Sequence, residues 1–297
     1  MKNRQHDEIR NDPRRRAIVK VMATLAIAAL AIHPFAGSAE AQSLLDKIKN
    51  GETIRIAFSN EPPHAYPGPN NEPLGFVNAI GIDILKKLGA TKIEPVVTEW
   101  GSLIPGLQAD RFDIITGGMA ITPERCRNAL FTEPVVAIID GMLVPKGNPK
   151  GLHSYEDVRD KGLTVVTGTG WAAVSLAHKV GIPDDKLLQV AGGAAEAVQA
   201  VKAGRADAAV GEFFTWKAFA NRDDSLEMAE PFTQAPGGAG GEGIAFLPNQ
   251  QATVDAFNKV LKHYRGSDEM MRSVEKYGYT KAQLPPKSLT TAELCKG

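Results

Sequence analysis

Arg125 lies near the end of a short stretch, residues 112–126, in which an apolar strand, a glycine pair and a helix start follow one another. Gly117 and Gly118 predict a sharp turn after the strand, and Thr122 is a residue type that caps helices. This order places Arg125 near the carboxyl end of a strand, where open α/β sheets bind ligands. A guanidinium there suits a carboxylate. Spacing alone favours the alternative, a surface arginine in an ordinary strand-to-helix turn.

Other polar and aromatic side chains stand at the ends of predicted strands. Glu61 and Glu212 each directly follow a strand, so both are candidates to meet a cationic group of a ligand in a cleft. Trp100 also follows a strand, where an indole can present its π face to a cation or pack in the core. His64 lies in a proline-rich loop, where an exposed ring without a role is the alternative.

The run from Gly168 to Ala173 matches G-x-G-x-x-A after a strand, the fingerprint of a dinucleotide site. The next strand ends in alanine and glycines rather than in the acidic residue that binds a ribose, and Trp171 would crowd a pyrophosphate. We therefore expect Thr169 and Gly170 to contact a carboxylate at this helix start instead. No G-x-S-x-G nucleophile motif occurs, the six histidines lack metal-ligand spacing, and we expect neither a metal nor a cofactor.

Positioning these side chains requires an α/β fold of two similar lobes. Strands are predicted at 54–59, 93–98, 113–116, 163–167, 187–190, 207–210 and 243–247, and helices at 43–49, 74–88, 102–107, 171–180, 194–203, 250–264 and 267–277. The alternation favours a small, mostly parallel sheet flanked by helices in each lobe. The predicted divisions are lobe 1 at 42–145, lobe 2 at 146–242, and a return to lobe 1 at 243–297. Two crossings between lobes make a hinge.

Residues 1–41 resemble an export signal. A basic segment precedes a 12-residue apolar run, and Ala39-Glu40-Ala41 forms a small-x-small cleavage site. That run covers only about 18 Å, too short for a membrane anchor of about 30 Å. The arginines at 15 and 16 also resemble a twin-arginine motif. Because the export signal has no cysteine near its cleavage site for a lipid anchor, we expect a periplasmic protein. The remaining 27 basic and 30 acidic residues form no basic stripe, so we expect no nucleic-acid partner.

Cys126 and Cys295 are the two cysteines of the chain. In an oxidising compartment an even pair favours a disulfide over two free thiols. The bond would join the C-terminal segment to the helix that begins near Thr122.

The segment Gly117 to Arg125 resembles the Gly-x-Thr-x-Thr-x-Glu-Arg motif of the polar amino-acid family of ABC-transporter substrate-binding proteins. The resemblance extends over nearly all of the predicted mature chain and implies the periplasmic binding protein type II fold. Residues 58–62, 101–105 and 123–126 are most similar to the ectoine- and hydroxyectoine-binding members. This implies a non-enzymatic, monomeric receptor that passes a small zwitterionic solute to an ABC permease.

The resemblance also implies roles for single residues. Arg125 would hold the ligand carboxylate, Glu61 a ring cation, and Trp100 one wall of an aromatic cage. The remaining expected contacts are Gly118, Thr169, Gly170 and Glu212, with His64 and Ala120 at positions where aromatic rings are expected. Three alternatives stay open: a polar amino acid as the ligand, a dehydratase of the cyclohexadienyl type on the same scaffold, and a membrane sensor kinase as the partner.

Overall fold

The computed structural model describes residues 43–296, so the predicted export signal lies outside the described residues. The strands are β1 (Thr53–Phe58), β2 (Tyr66–Pro67), β3 (Pro73–Leu74), β4 (Lys92–Val97), β5 (Ile114–Ala120), β6 (Leu130–Phe131), β7 (Val136–Pro145), β8 (Val165–Gly168), β9 (Leu187–Val190), β10 (Ala208–Glu212), β11 (Leu226–Met228) and β12 (Ala239–Phe246). The α-helices are α1 (Leu44–Lys49), α2 (Phe76–Lys87), α3 (Leu103–Gln108), α4 (Pro123–Cys126), α5 (Tyr155–Asp160), α6 (Ala172–Val180), α7 (Gly193–Lys202), α8 (Phe213–Ala220), α9 (Gln251–Tyr264), α10 (Asp268–Val274) and α11 (Thr291–Leu294).

The main sheet runs in the order β4-β1-β5-β12-β7-β10-β8-β9, with β6 beside β12 and β11 beside β7. The first lobe contains the parallel strands β4, β1 and β5, and the second contains the parallel strands β10, β8 and β9. The predicted α/β architecture of two lobes is therefore confirmed. Within residues 43–296, no helix is both long and apolar enough to cross a bilayer.

Two long strands connect the lobes. Residues 136–139 of β7 pair with residues 239–242 of β12, while the later part of β7 pairs with β10 and β11. The later part of β12 pairs with β5 and β6. Each strand therefore begins in the ribbon between the lobes and ends inside one lobe. The lobe divisions predicted at 145/146 and 242/243 stay predictions.

The core of the first lobe follows from helical periodicity. Helix α9 buries Val254, Phe257, Leu261 and Tyr264, which recur every three or four residues and therefore share one face. This face packs with α2 and α10 against the sheet. Each fully buried side chain of this size contributes about 1.5–3 kcal/mol, so the helices are fixed mainly by burial of their apolar faces.

The structure corrects the prediction of a sharp turn at Gly117 and Gly118. Both glycines lie inside β5, which continues to Ala120 because β12 pairs with its last residues. Gly118 still needs a glycine, since its φ is +77° and a Cβ there would lie 3.1 Å from the Cβ of His64. The glycine therefore lets the side chain of His64 approach the strand.

The C-terminal segment is fixed to the helix that carries Arg125. Cys126 and Cys295 form the predicted disulfide, which joins α4 to the end of α11 across 169 residues of sequence. Thr122 caps α4 as expected, because its side chain accepts a hydrogen bond from the backbone of Arg125 at 3.3 Å.

Candidate functional site

A cavity lies between the two lobes, at the carboxyl ends of their parallel strands. Its volume, measured as the space open to the centres of water molecules, is about 70 Å³. One water needs about 10–15 Å³ on this measure, so the cavity suits a small solute rather than a peptide. Its lining is formed by Glu61, His64, Trp100, Gly117, Gly118, Ala120, Arg125, Ile138, Asp140, Trp171, Ala172, Ala173, Gly211, Glu212, Thr215 and Glu242.

Arg125 projects from the short helix α4 into this cavity. Its Nη1 donates to the carbonyl of Ala120 at 2.8 Å, and its Nη2 donates across the cleft to the carbonyl of Gly170 at 3.0 Å. The guanidinium lies 5.7 Å from the ring centre of Trp100. Burial lowers the pKa of Arg125 to about 10, so the group keeps its charge at neutral pH. The charged guanidinium of Arg125 therefore lies in the cavity, where the sequence predicts that it binds a ligand carboxylate.

The Thr169–Gly170 turn meets the cavity only through its backbone. The carbonyl of Gly170 accepts hydrogen bonds from Arg125 and, at 3.2 Å, from the indole Nε1 of Trp100. Thr169 is exposed and does not line the cavity. Gly168 is needed for packing rather than for phosphate binding, because a Cβ there would lie 2.3 Å from the indole of Trp171. Gly168 of this G-x-G-x-x-A run therefore accommodates an aromatic ring.

His64 is buried between two carboxylates. Its Nδ1 lies 2.9 Å from Glu242 Oε2, and its Nε2 lies 3.1 Å from Glu212 Oε2. Two ionised carboxylates require an N–H donor on each ring nitrogen, which is the imidazolium form. Burial alone would lower the pKa of His64, but the charges and hydrogen bonds of the two carboxylates outweigh it and raise the pKa to about 10. His64 therefore links Glu212 of the second lobe to Glu242 of β12.

Glu61 reaches from the loop after β1 to the start of helix α7. A Cβ on Gly193, whose φ is +66°, would lie 2.5 Å from Glu61 Oε1, so only glycine admits the carboxylate here. Burial raises the pKa of Glu61 to about 7, against the opposing effects of a hydrogen bond from the backbone of Ala194, the charge of His64 and a hydrogen bond from the indole of Trp171. Its Oε2 is buried and accepts no hydrogen bond.

Glu212 enters the cavity from the second lobe, at the junction of β10 and α8. Its Oε2 caps α8 by accepting from the backbone of Thr215 at 2.8 Å, in addition to the contact with His64. Its other oxygen, Oε1, is buried without a partner. The cavity thus contains two unpaired carboxylate oxygens, one from each lobe.

Sequence reasoning missed Asp140 and Glu242 as lining residues, and it considered Trp171 only as a ring that would crowd a pyrophosphate. Asp140 interrupts the apolar run 135–144, and a single acid inside a buried strand was a signal for a functional position. Glu242 follows a glycine-rich run that belongs to β12 rather than to a loop.

Among the predicted residues, the structure brings Glu61, His64, Trp100, Gly118, Arg125 and Glu212 to one cavity, whereas Gly170 contributes a carbonyl at its edge. The 43–296 segment contains no cluster of three or more potential metal ligands with suitable geometry.

Comparison with known proteins decides the family. Residues 54–280 match the model of the bacterial extracellular solute-binding proteins, family 3. The chain belongs to this family. The two lobes of this solute-binding protein accordingly form the periplasmic binding protein type II fold.

The names of the individual relatives indicate different ligands or substrates. A probable amino-acid ABC transporter periplasmic-binding protein, y4tE of Sinorhizobium fredii, is 39% identical over 84% of this chain and 85% of its own. The crystal structure of EhuB in complex with hydroxyectoine has a TM-score of 0.76 and 30% identity, over 85% of this chain and 97% of EhuB. A cyclohexadienyl dehydratase of Pseudomonas aeruginosa is 29% identical over 49% of this chain and 54% of the enzyme.

Proposed function

We propose that this solute-binding protein is the substrate-binding component of an ABC importer and that it binds a small zwitterion between its lobes. The name of the relative y4tE supports the importer, and the size of the cavity supports a small solute. A solute that contacts both lobes favours the closed form over the open form and so shifts the population toward closure. The closed form would then deliver the solute to a membrane permease.

One observation carries the choice of a zwitterion. The cavity holds a charged guanidinium, Arg125, together with unpaired buried oxygens of Glu61 and Glu212. An unpaired buried acceptor is unfavourable, so a cation with two or more N–H groups would stabilise the cavity by donating to both oxygens. Arg125 would bind the carboxylate of the same molecule in place of its contact with the Gly170 carbonyl.

Ectoine or hydroxyectoine is the more specific ligand that we propose. The delocalised ring cation of these solutes carries two N–H groups, which matches the two free oxygens of Glu61 and Glu212. Trp100 and Trp171 line the cavity and can present their rings to that cation. The similarity to the hydroxyectoine complex of EhuB supports this choice. Ala120 provides no ring, so Trp171 would supply the second wall.

A polar amino acid is the second candidate. His64 uses both ring nitrogens on carboxylates, so its ring is fixed by charge contacts rather than arranged as part of an aromatic cage. A primary ammonium also has enough N–H groups for the two free oxygens. The naming of y4tE as a probable amino-acid-binding protein favours this class.

Binding calorimetry with ectoine, hydroxyectoine and a set of polar amino acids tests the proposed function. At least one of these solutes should bind tightly, and Arg125→Ala should weaken that binding by about 2–5 kcal/mol, which is about 30-fold or more. Arg127→Ala is the matched control, because Arg127 lies beside the same helix but is exposed and does not line the cavity. If no carboxylate-bearing solute binds, the proposal is wrong. If affinity survives Arg125→Ala, the carboxylate is bound elsewhere.

An enzymatic role rests on a different property of Glu61. A buried carboxyl group with a pKa of about 7 can donate a proton at neutral pH, as a dehydratase requires. Most of the similar proteins are named as binding proteins, which favours a receptor without catalysis. Incubation with a cyclohexadienyl substrate, followed by NMR, distinguishes the two roles. An unchanged substrate supports the receptor, and turnover refutes it.

The cellular context follows from the same proposal. We infer that the protein is exported to the periplasm, that a signal at residues 1–41 is removed, and that the mature protein is a monomer. N-terminal sequencing of the mature protein checks the cleavage site. The neighbouring genes distinguish an importer from a sensor: permease and ATPase genes support the importer, whereas a membrane kinase gene alone supports the sensor.

A further inference from the structure

The hinge end of the cavity contains a carboxylate that the proposed ligand contacts leave unused. Asp140 of β7 stands directly opposite Glu212 in the antiparallel pair of β7 and β10. Opposite residues in such a pair project from the same face of the sheet, with Cβ atoms about 5 Å apart. Both residues line the cavity, so two acidic side chains lie next to each other at its hinge end.

Asp140 is held in place by its neighbours but keeps one oxygen free. The hydroxyl of Tyr155 donates to Asp140 Oδ2 at 2.7 Å. Gln234 fixes the backbone on both sides, because its Oε1 accepts from the Asp140 N–H at 3.1 Å and its Nε2 donates to the Asp140 carbonyl at 2.6 Å. In the described part of the chain, no hydrogen bond reaches Oδ1. That oxygen is available to a group inside the cavity.

The charges of the cavity are unequal. Its lining contains four carboxyl groups, Glu61, Asp140, Glu212 and Glu242, but only two cationic groups, Arg125 and His64. A zwitterion adds one charge of each sign and leaves this excess of acidic over basic groups unchanged. Burial, together with the nearby charge of Glu212, raises the pKa of Asp140 to about 7 against the hydrogen bond from Tyr155. A further hydrogen-bond donor would stabilise the ionised carboxylate.

The cavity is a built site rather than an acidic surface patch. Glu61, which also lines the cavity, is only 6% exposed and still has an unpaired Oε2. A side chain so completely buried is not solvated by bulk water, so the unpaired oxygen is an acceptor that a ligand group in the cavity can use. The ligand that reaches Glu61 and Glu212 is already next to Asp140, because Asp140 is the cross-strand neighbour of Glu212.

We propose that Asp140 is a specificity-determining residue that accepts a hydrogen bond from a second donor group of the solute, separate from the cation bound by Glu61 and Glu212. This inference rests on the proposed function. The preferred solute then has one carboxylate, one cationic group and one further donor. A hydroxyl group and an additional ammonium group can both be this donor. The hydroxyl group distinguishes hydroxyectoine from ectoine, and the ammonium group distinguishes a basic amino acid from a neutral one.

Calorimetry with two matched pairs of solutes tests the role of Asp140. The pairs are hydroxyectoine with ectoine, and ornithine with norvaline, and each pair differs by one donor group. In the unmodified protein, the solute with the extra donor should bind at least tenfold more tightly in one pair. Asp140→Ala should reduce this ratio to below threefold, because it removes the acceptor while leaving Arg125 and Glu61 in place.

Three variants make the result specific. Asp140→Asn keeps an acceptor for Tyr155 but removes the charge, so it should abolish a preference for the ammonium and retain part of a preference for the hydroxyl. Tyr155→Phe should reduce the ratio by a smaller factor than Asp140→Ala, since it loosens the carboxylate without removing it. Glu227→Ala is the control, because Glu227 lies on the neighbouring strand β11 outside the cavity lining and should leave the ratio unchanged.

The outcomes separate this inference from the proposed function. If a zwitterion binds but neither pair shows a preference in the unmodified protein, Asp140 accepts no hydrogen bond from a second donor group of the solute. The inference is then overturned, while the proposed function stands. A preference that survives Asp140→Ala also overturns it. If none of the four solutes and no other carboxylate-bearing solute binds, both proposals are wrong.

Discussion

Replacing Glu61 by glutamine should stabilise the ligand-free protein at pH 8 while it weakens ligand binding. The carboxyl group has a pKa of about 7 in the folded protein against 4.5 ordinarily, mainly because of burial. A raised pKa means that the folded form binds the proton more tightly than the unfolded form does. The resulting stability is fully present below pH 4.5 and is lost as the pH rises through about 7.

The size of this loss follows from the two pKa values. Their difference corresponds to about 3 kcal/mol of folding free energy. Glutamine is neutral at every pH and avoids this loss. Its side-chain NH₂ group would, however, be buried without an acceptor at the position that Glu61 Oε2 occupies. We therefore expect a gain of about 2 kcal/mol at pH 8, or about 4–8 °C in melting temperature, and no gain at pH 4.5.

Thermal unfolding followed by circular dichroism at both pH values measures this difference. Glu94→Gln is the matched control, because Glu94 is exposed on the edge strand β4 and should change the melting temperature little at either pH. Equal stability of Glu61→Gln and the unmodified protein at pH 8 would refute the reasoning. It would mean that water or a cation compensates the charge of Glu61 in the ligand-free state.

Three further substitutions test other contacts of the site. Replacing both Cys126 and Cys295 by serine opens a loop of 169 residues and should cost about 2–5 kcal/mol, which calorimetry detects as a melting temperature lower by about 5–15 °C; an unchanged value contradicts a structural role. His64→Gln leaves a buried carboxylate without a charged partner and should cost about 3–5 kcal/mol in urea unfolding at pH 7, whereas a neutral effect would mean that the ring is uncharged. Gly193→Ala places a Cβ 2.5 Å from Glu61 Oε1 and should weaken ligand binding at least tenfold in calorimetry; unchanged affinity would show that Glu61 can move.

Local patterns predicted the α/β architecture because each pattern has a local physical cause. Thr122 caps α4 through its own hydroxyl, and the apolar residues of α9 share a face through helical periodicity. Glu61 and Glu212 reach one cavity because each lies at or just after the carboxyl end of a strand in its own lobe, and both ends face the same cleft. These inferences need no knowledge of distant contacts.

The remaining features depend on partners far away in sequence. Gly117 and Gly118 look like a turn, but pairing with β12, more than 100 residues later, keeps them in a strand. The same pairing turns the glycine-rich run before Glu242 into part of the sheet and brings Glu242 to His64. No local preference encodes such a contact, so the two carboxylates around His64 became visible only in the folded chain.

The paired segments of β7 and β12 also have a mechanical consequence. Backbone hydrogen bonds join residues 136–139 to residues 239–242, so the connection between the lobes is a two-stranded ribbon rather than two independent tethers. Such a ribbon resists sliding of one strand along the other, because sliding breaks every hydrogen bond at once, but it bends and twists easily. We therefore expect the lobes to move by bending of this ribbon, which keeps its backbone hydrogen bonds, rather than by sliding of one strand along the other.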